Sequence, residues 1–284
     1  MDLVTLWRAV RDRLQAAGVE TPVLDARMLV EAGAGVSRTD IITDPRRVLS
    51  DAQVGAVDAL AIRRQAREPV AHLVGKQAFW TIELSVNREV LIPRPETEFV
   101  VEAALQAMPF GEPMRVLDLG VGSGAILLAI LSARPLALGV GVDKSAGALA
   151  VANHNAERLG LGGRATFHQG DWAEGLEDAG FDIVVSNPPY IRTRLIEGLE
   201  PELRYEPRLA LDGGLDGLGA YRALLPAIRR VLKPGGTFAV ELGQGQAEAA
   251  WALADDAGLS PAEVRNDLAG VGRVLIGKLL AARG

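Results

Sequence analysis

From residue 114 onward, short apolar runs alternate with longer amphipathic runs, and this alternation constrains the fold more than any other feature of the sequence. Apolar runs such as 115–119 and 181–186 are typical of strands that are buried on both faces. We predict strands at residues 115–119, 138–142, 165–168, 181–186, 237–242 and 274–278, and helices at residues 125–133, 146–159, 221–232 and 247–257. Strands alternating with helices predict an α/β fold, in which helices cover both faces of a mostly parallel sheet.

The first 75 residues have a different pattern, which predicts a separate helical domain. Leu3, Leu6 and Val10 recur at helical spacing. Ser50 and Gln53 form a capping box at the start of another predicted helix. If the rest of the chain is an enzyme, a helical domain in this position is expected to recognise its substrate.

Residues 76–110 are predicted to be a linker, and residues 111–284 a catalytic domain. Alternating apolar and polar residues around Phe79 indicate a strand. We expect residues 87–89 to turn the chain and residues 90–92 to return it, so that residues 76–93 form a β-hairpin. Residues 96–108 are predicted to be a helix. Arg94, Glu96 and Glu98 either border the active site or serve only the start of that helix.

Three glycines, Gly120, Gly122 and Gly124, lie within five residues after the first predicted strand of the catalytic domain. Glycine allows a sharp turn and a close approach of ligand to backbone. The helix that follows presents free N–H groups and the positive end of its dipole, which suits a carboxylate or a phosphate. The same run also fits a dinucleotide fingerprint. Taken alone, it therefore leaves S-adenosylmethionine and a nicotinamide cofactor open.

Acidic side chains follow the next two predicted strands. Asp143 ends the second, where a carboxylate can accept from both ribose hydroxyls; the alternative is a helix N-cap. Asp171 and Trp172 follow the third, where they suit an adenine amine and ring; the alternative is a loop acid beside a half-buried indole. Acidic groups on successive strand ends favour S-adenosylmethionine.

Tandem prolines follow the strongest predicted strand, in the run Asn187-Pro188-Pro189-Tyr190. Neither proline can donate a backbone hydrogen bond, and a residue before proline is held extended. We predict that the Asn187 side-chain oxygen and the Pro188 carbonyl face one point and accept both hydrogens of an NH₂ group, which Tyr190 covers. A rigid proline turn without chemistry is the alternative.

Such a pair of acceptors suits methylation of an amide. An amide nitrogen is a poor nucleophile because its lone pair is delocalised into the carbonyl. Two acceptors that hold its hydrogens favour pyramidal geometry, and charge-assisted bonds of this kind contribute roughly 1.5–3 kcal/mol each. Positioning the nucleophile against the methyl donor contributes ~7–11 kcal/mol more.

The composition limits the remaining possibilities. The chain contains no cysteine, which excludes disulfides and thiolate chemistry and agrees with a reducing cytoplasm. Its three histidines show no metal-ligand spacing. We expect no membrane span and no signal peptide. The net charge of −6 disfavours nucleic acid as a stable partner.

The chain resembles the HemK/PrmC family of release factor glutamine N5-methyltransferases. The resemblance covers nearly the whole chain and is carried by residues 69–75, 79–80, 91–98, 118–125, 187–190, 204–207 and 272–274. It implies an N-terminal helical bundle, a β-hairpin linker and a class I (Rossmann-like) methyltransferase sheet. It also implies a cytoplasmic enzyme of translation termination, which methylates the glutamine of a Gly-Gly-Gln loop in class 1 peptide chain release factors. We expect it to be a monomer.

The resemblance also assigns site residues by position. S-adenosylmethionine contacts are expected from Gly120, Val121, Gly122, Ser123, Gly124, Asp143, Trp172 and Asn187, to which the strand-end argument adds Asp171. The substrate glutamine is expected at Asn187, Pro188, Pro189 and Tyr190, with Asn187 and Pro188 as the catalytic groups. Val121 and Ser123 stand where threonines are common in the family, but each can act through its backbone.

Three alternatives differ in what they require. An adenine-N6 DNA methyltransferase shares the aromatic-terminated proline motif but needs to extract a base, usually with a basic recognition region. A nicotinamide-dependent oxidoreductase uses the same glycine loop but gives residues 187–190 no role. A non-catalytic assembly factor would keep the cofactor pocket only as a vestige.

Overall fold

The computed structural model describes residues 1–281, which form two compact units. The helical unit comprises Met1–Lys76 together with Glu200–Tyr205. The sheet unit comprises Gln77–Leu199 and the chain from Glu206 onward. No helix among the described residues combines the length and the apolar character that crossing a membrane requires.

Amphipathic helices build the helical unit around one apolar core. They are α1 (Leu3–Ala16), α2 (Pro22–Ala34), α3 (Arg38–Thr43), α4 (Asp51–Gln65) and α5 (Val70–Val74). The predicted capping box forms at the start of α4, where the Ser50 hydroxyl accepts from the Gln53 backbone N–H at 3.3 Å. Leu3 and Val10, predicted on one face of α1, are buried in the core.

A short segment from later in the chain completes the helical unit. Glu202 accepts hydrogen bonds from Arg64 at 2.9 Å and from Arg67 at 2.9 Å. The other arm of Arg64 donates to Asp25 at 2.7 Å, and both side chains are buried. Although burial raises it, hydrogen bonds from Arg67 and Arg64 hold the pKa of Glu202 below its usual value. Removing one member of such a cluster leaves a buried charge without its partner.

The predicted hairpin forms a two-stranded sheet, but the prediction of its second strand was wrong. Strands β1 (Lys76–Phe79) and β2 (Ile82–Ser85) pair, and the chain reverses at Trp80, whose φ is +54°. Residues 88–89 do form a turn, yet residues 90–92 are not a strand. The aromatic residue at the tip hid the turn, because a bulky residue rarely adopts positive φ.

The sheet unit contains a seven-stranded sheet in the order β5-β4-β3-β6-β7-β9-β8. Its strands are β3 (Arg115–Leu119), β4 (Leu138–Asp143), β5 (Ala165–Gln169), β6 (Phe181–Ser186), β7 (Leu232–Glu241), β8 (Ser260–Asn266) and β9 (Gly272–Lys278). Strands β3 to β7 pair in parallel, and β9 pairs antiparallel with both β7 and β8. The predicted mostly parallel α/β sheet is confirmed.

Helices cover both faces of this sheet. They are α6 (Glu98–Ala107), α7 (Ala125–Ala133), α8 (Ala146–Arg158), α9 (Gly219–Val231) and α10 (Ala247–Asp256). Successive strand residues point to opposite faces. Accordingly, Val116 packs in the core with α6 and α7, while Leu117 packs in the core with α9 and α10. The parallel strands are therefore buried on both sides, and their carboxyl ends present loops along one edge.

Candidate active site

A cavity of about 440 Å³ lies at the carboxyl ends of the parallel strands. The loops after β3, β4, β5 and β6 all contribute to its walls, as does residue 97 just before α6. This is where open α/β sheets bind ligands, and the volume is within the range of small-molecule sites. Predicted residues that line it are Gly120, Val121, Gly122, Ser123, Asp143, Asp171, Trp172, Asn187 and Pro189.

The glycine loop between β3 and α7 adopts a backbone that few other residues tolerate. The φ angles of Gly120, Gly122 and Gly124 are +76°, +55° and +85°. A Cβ atom on Gly120 or Gly122 would meet nothing within 4 Å, so both face open space. A Cβ on Gly124 would lie 2.8 Å from Leu128. Gly124 thus serves the packing of the loop on α7, and the other two leave room for a ligand.

Asp143 fixes the glycine loop against the end of β4. Its Oδ2 accepts from the Gly122 N–H at 2.9 Å, and its Oδ1 accepts from the Ser145 N–H at 2.9 Å. A carboxylate has about four acceptor positions, so both oxygens can still accept from a ligand hydroxyl. The predicted ribose-binding role and the alternative of a local structural role are therefore compatible in one side chain.

Asp171 and Trp172 form the far wall of the cavity. Asp171 is exposed and pairs with Lys144 at 2.9 Å, which offers its carboxylate a competing partner. Trp172 is half-buried with φ +51°, an uncommon angle for an aromatic residue. Trp172 lines the cavity and also packs against the apolar core that α9 and α10 form on the sheet.

A further carboxylate lies beneath the glycine loop. Asp118 is buried, and its Oδ2 accepts from the Leu127 N–H at 3.2 Å. Burial raises the pKa of Asp118 to about 7, and the charge of Asp143 acts in the same direction. Asp118 therefore holds the first turn of α7 and does not line the cavity.

The Asn-Pro-Pro-Tyr run leaves β6 directly beside this cavity. Ser186, the last residue of β6, is buried and donates its hydroxyl to the Leu119 carbonyl at 2.6 Å, which ties β6 to β3. Asn187 then donates from Nδ2 to the Thr97 hydroxyl at 3.1 Å. Because Nδ2 is committed to Thr97, Oδ1 is the atom of Asn187 left to accept from a ligand. Pro188 is buried and is not among the residues that line the cavity.

Tyr190 is anchored at both its hydroxyl and its backbone. The hydroxyl donates to Glu241 Oε1 at 3.1 Å. The carbonyl accepts from Gln246 Nε2 at 3.1 Å. Tyr190 is half-buried and lies outside the cavity lining. Tyr190 is predicted to cover the NH₂ group of the substrate, and this role stays a prediction. The role predicted for Pro188 also stays a prediction.

The segment before α6 contributes more to the site than the sequence indicated. Arg94 donates to Glu206 at 2.5 Å, and Glu98 accepts from the Trp80 N–H at 2.8 Å. Both therefore hold local structure. Thr97, between them, lines the cavity and bonds to Asn187. No local sequence signal indicates Thr97, whereas Glu241 lies near the carboxyl end of β7, next to β6, where ligand-facing side chains are expected.

These features fit S-adenosylmethionine. Gly120 and Gly122 leave a space that any side chain at either position would fill. Acidic side chains line the cavity, which suits a cationic sulfonium ligand, although Lys144 offsets part of that charge. The free N–H groups at the start of α7 suit the ligand's carboxylate.

Comparison with known proteins is consistent with this geometry. Residues 5–75 match the PrmC N-terminal domain, and residues 111–269 match a methyltransferase domain. A release factor glutamine methyltransferase of Caulobacter vibrioides is 53% identical over 98% of this chain and 96% of its own length. One from Rhodospirillum rubrum is 45% identical over 95% of this chain and 83% of its own length. The chain belongs to the release factor glutamine methyltransferase family.

Membership confirms the predicted family, and with it an S-adenosylmethionine-dependent methyltransferase. A solved methyltransferase from Pyrococcus furiosus shares the fold, with a TM-score of 0.53 and 17% identity over 79% of this chain and 98% of that chain. S-adenosylmethionine is the cofactor of this methyltransferase. The individual contacts that we predict for it remain predictions.

Proposed function

We propose that this methyltransferase transfers a methyl group to the side-chain amide nitrogen of the glutamine in the Gly-Gly-Gln motif of class 1 peptide chain release factors. The observation that carries the proposal is the orientation of Asn187. Its Nδ2 donates to Thr97, which leaves Oδ1 as an acceptor beside the cavity that also contains the glycine loop. A primary amide is the natural complement of such an acceptor.

The residues of the chain prepare the amide for attack. When bound, S-adenosylmethionine supplies a methyl group on a sulfonium whose sulfur departs as a neutral thioether. Asn187 Oδ1 accepts one hydrogen of the glutamine NH₂. The carbonyl of Pro188, which lies between the cavity-lining residues Asn187 and Pro189, is proposed to accept the other, so that the lone pair of the nitrogen faces the methyl group. As positive charge develops on nitrogen, both hydrogen bonds strengthen. The nitrogen then loses one proton to solvent, and the product is a neutral N5-methyl amide.

The N-terminal helical domain, which matches the PrmC N-terminal domain, is proposed to recognise the release factor. Because the proposed substrate is a factor of translation termination, we expect the reaction to take place in the cytoplasm. We expect the enzyme to act as a monomer and to form no stable complex with nucleic acid.

The direct test is incubation of the purified enzyme with a purified release factor and cofactor, followed by peptide mass mapping. We expect one added methyl on the glutamine of the Gly-Gly-Gln loop. In Asn187→Ala, loss of one charge-assisted hydrogen bond lowers turnover by roughly 10- to 150-fold or more, while cofactor affinity weakens only modestly. The matched control is Asn153→Ala, at an exposed asparagine of α8. An Asn187→Ala enzyme that keeps most of its turnover contradicts the mechanism, and methyl transfer to DNA instead of release factor favours an adenine-N6 enzyme.

A further inference from the structure

A buried carboxylate lies behind the substrate side of the site. Glu241 ends β7 and is 2% exposed. Its Oε1 accepts from the Tyr190 hydroxyl at 3.1 Å. Its Oε2 is buried and, among the described residues, has no partner at normal hydrogen-bond geometry. The Thr97 hydroxyl is nevertheless close enough to act on the carboxyl as a hydrogen-bond donor.

The surroundings of Glu241 leave its charge poorly compensated. Burial raises the pKa of Glu241 to about 7, against the hydrogen bonds from Thr97 and Tyr190 that lower it. Two other charged groups act on it: Glu96 raises the pKa of Glu241 and Arg273 lowers it. The nearby Tyr221 hydroxyl donates to the backbone carbonyl of Glu241 at 3.1 Å. Arg273 is itself paired with Asp267 at 2.8 Å, so it does not neutralise Glu241 directly.

The ionised carboxylate fixes the direction of a chain of hydrogen bonds. A carboxylate can only accept, so a Thr97 hydroxyl that bonds to Glu241 must use its single proton there. Thr97 can then only accept from Asn187, and only Nδ2 can donate to it, at the observed 3.1 Å. Oδ1 is consequently turned away from Thr97. A protonated Glu241 could instead donate to Thr97, and Thr97 could donate to Oδ1, which reverses the amide of Asn187.

We propose that Glu241 is a positioning residue of the methyl transfer: its carboxylate acts through Thr97 to keep Asn187 Oδ1, and not Nδ2, facing the acceptor amide. This inference rests on the proposed function, because it assigns the oxygen that Glu241 orients to a glutamine NH₂. The same carboxylate holds the hydroxyl of Tyr190, so one buried group orders both ends of the Asn-Pro-Pro-Tyr run.

If Glu241 served only to stabilise the fold, replacing it should lower the melting temperature. The burial of its charge predicts the opposite. A carboxyl whose pKa is raised by burial destabilises the fold as pH rises through about 7, since the folded state then has to bury a charge. Glu241→Gln removes that charge at nearly constant volume. We therefore expect Glu241→Gln to melt at a higher temperature than the wild type at pH 8, with a smaller difference near pH 5.

The experiment measures kcat for release factor methylation from pH 5.5 to 8.5, together with cofactor Kd. Wild-type kcat should rise with pH through about 7 as Glu241 ionises. In Glu241→Gln, kcat at pH 8 should fall roughly 10- to 100-fold, the rise should disappear, and cofactor Kd should change less than about twofold. The control is Glu248→Gln, the same substitution at an exposed position in α10, which should leave kcat and its profile unchanged.

A second pair of variants keeps the test valid if Glu241→Gln fails to fold. Thr97→Val removes the hydroxyl that relays the orientation, whereas Thr97→Ser retains it. We expect Thr97→Val to lose kcat as Glu241→Gln does, and Thr97→Ser to recover most of that loss.

The outcomes separate the two proposals. If the wild-type enzyme places no methyl on the release factor glutamine, the proposed function fails and this inference fails with it. If the wild type is active but Glu241→Gln keeps its turnover, or Thr97→Ser is as impaired as Thr97→Val, only the positioning role is overturned. The same holds if the rise in kcat through pH 7 survives in Glu241→Gln, because the titrating group would then be another carboxyl, such as Asp118.

Discussion

Replacing Asn155 by alanine should destabilise the protein and weaken cofactor binding together. Asn155 is fully buried in α8. Its Oδ1 accepts from the Ser85 N–H at 2.7 Å, and its Nδ2 donates to the Ser85 carbonyl at 3.0 Å and to the Ser123 carbonyl at 2.9 Å. One side chain thus joins the end of β2 to the glycine loop, where Ser123 lines the cavity.

The magnitude follows from these three contacts. Each contributes about 1 kcal/mol net, and a buried group left without a partner costs about 1–3 kcal/mol more. We expect Asn155→Ala to lower the free energy of unfolding by about 3–5 kcal/mol. Asn155→Asp keeps the bond from the Ser85 N–H but turns a carboxylate toward two carbonyl oxygens, so at pH 8 it should cost at least as much as alanine.

Urea unfolding followed by circular dichroism at pH 8 gives the free energies, and calorimetric titration gives the cofactor Kd. Asn153→Ala is the matched control. Asn153 is exposed on the same helix and donates to the Leu149 carbonyl of that helix at 2.9 Å. If Asn155→Ala lowers the free energy of unfolding by less than about 1 kcal/mol, this side chain does not hold the end of β2 to the glycine loop.

Three further changes test the cofactor side of the site. Gly124→Ala places a Cβ 2.8 Å from Leu128 at a φ of +85°, and should lower stability by about 1–3 kcal/mol, measured by urea unfolding. Asp143→Asn cannot accept from both the Gly122 and Ser145 N–H groups and should weaken cofactor binding by roughly tenfold or more, measured by titration calorimetry. Asp118→Asn removes a carboxyl whose pKa burial raises from 3.8 to about 7. The folded state favours the protonated form, so wild-type stability falls as pH rises from about 4 to about 7. The variant should therefore melt above the wild type at pH 8, with a smaller difference at pH 5.

The interior of the sheet was predictable because its strands carry a strong signal. The predicted bounds of β3 and β6 match the structure, since both strands are apolar on both faces. Strand β8 (Ser260–Asn266) was not predicted. It lies at the sheet edge with polar residues and little burial, so neither periodicity nor composition distinguishes it from a loop. The start of β7 was also missed, because Pro234 and two glycines that follow it suggested a turn.

Site residues could be predicted only where a residue type that directly follows a strand indicates a particular chemistry. The glycine loop, Asp143 and Asn187 all follow strands, and all line the cavity. The proposed roles of Thr97 and Glu241 depend on their contacts with each other and with Asn187, and these residues are far apart in sequence. No local pattern encodes a hydrogen-bond chain of that kind, and only the fold brings its members together.

The helical unit is assembled from two pieces of the chain, Met1–Lys76 and Glu200–Tyr205. A single cut after residue 76 cannot release it whole, and a truncated catalytic fragment would carry Glu202 without Arg64 and Arg67. Chimaeras that exchange the N-terminal helices between relatives should therefore exchange residues 200–205 as well. Substitutions at Glu202 and at these arginines are expected to depend on one another, although more than 130 residues separate them in sequence.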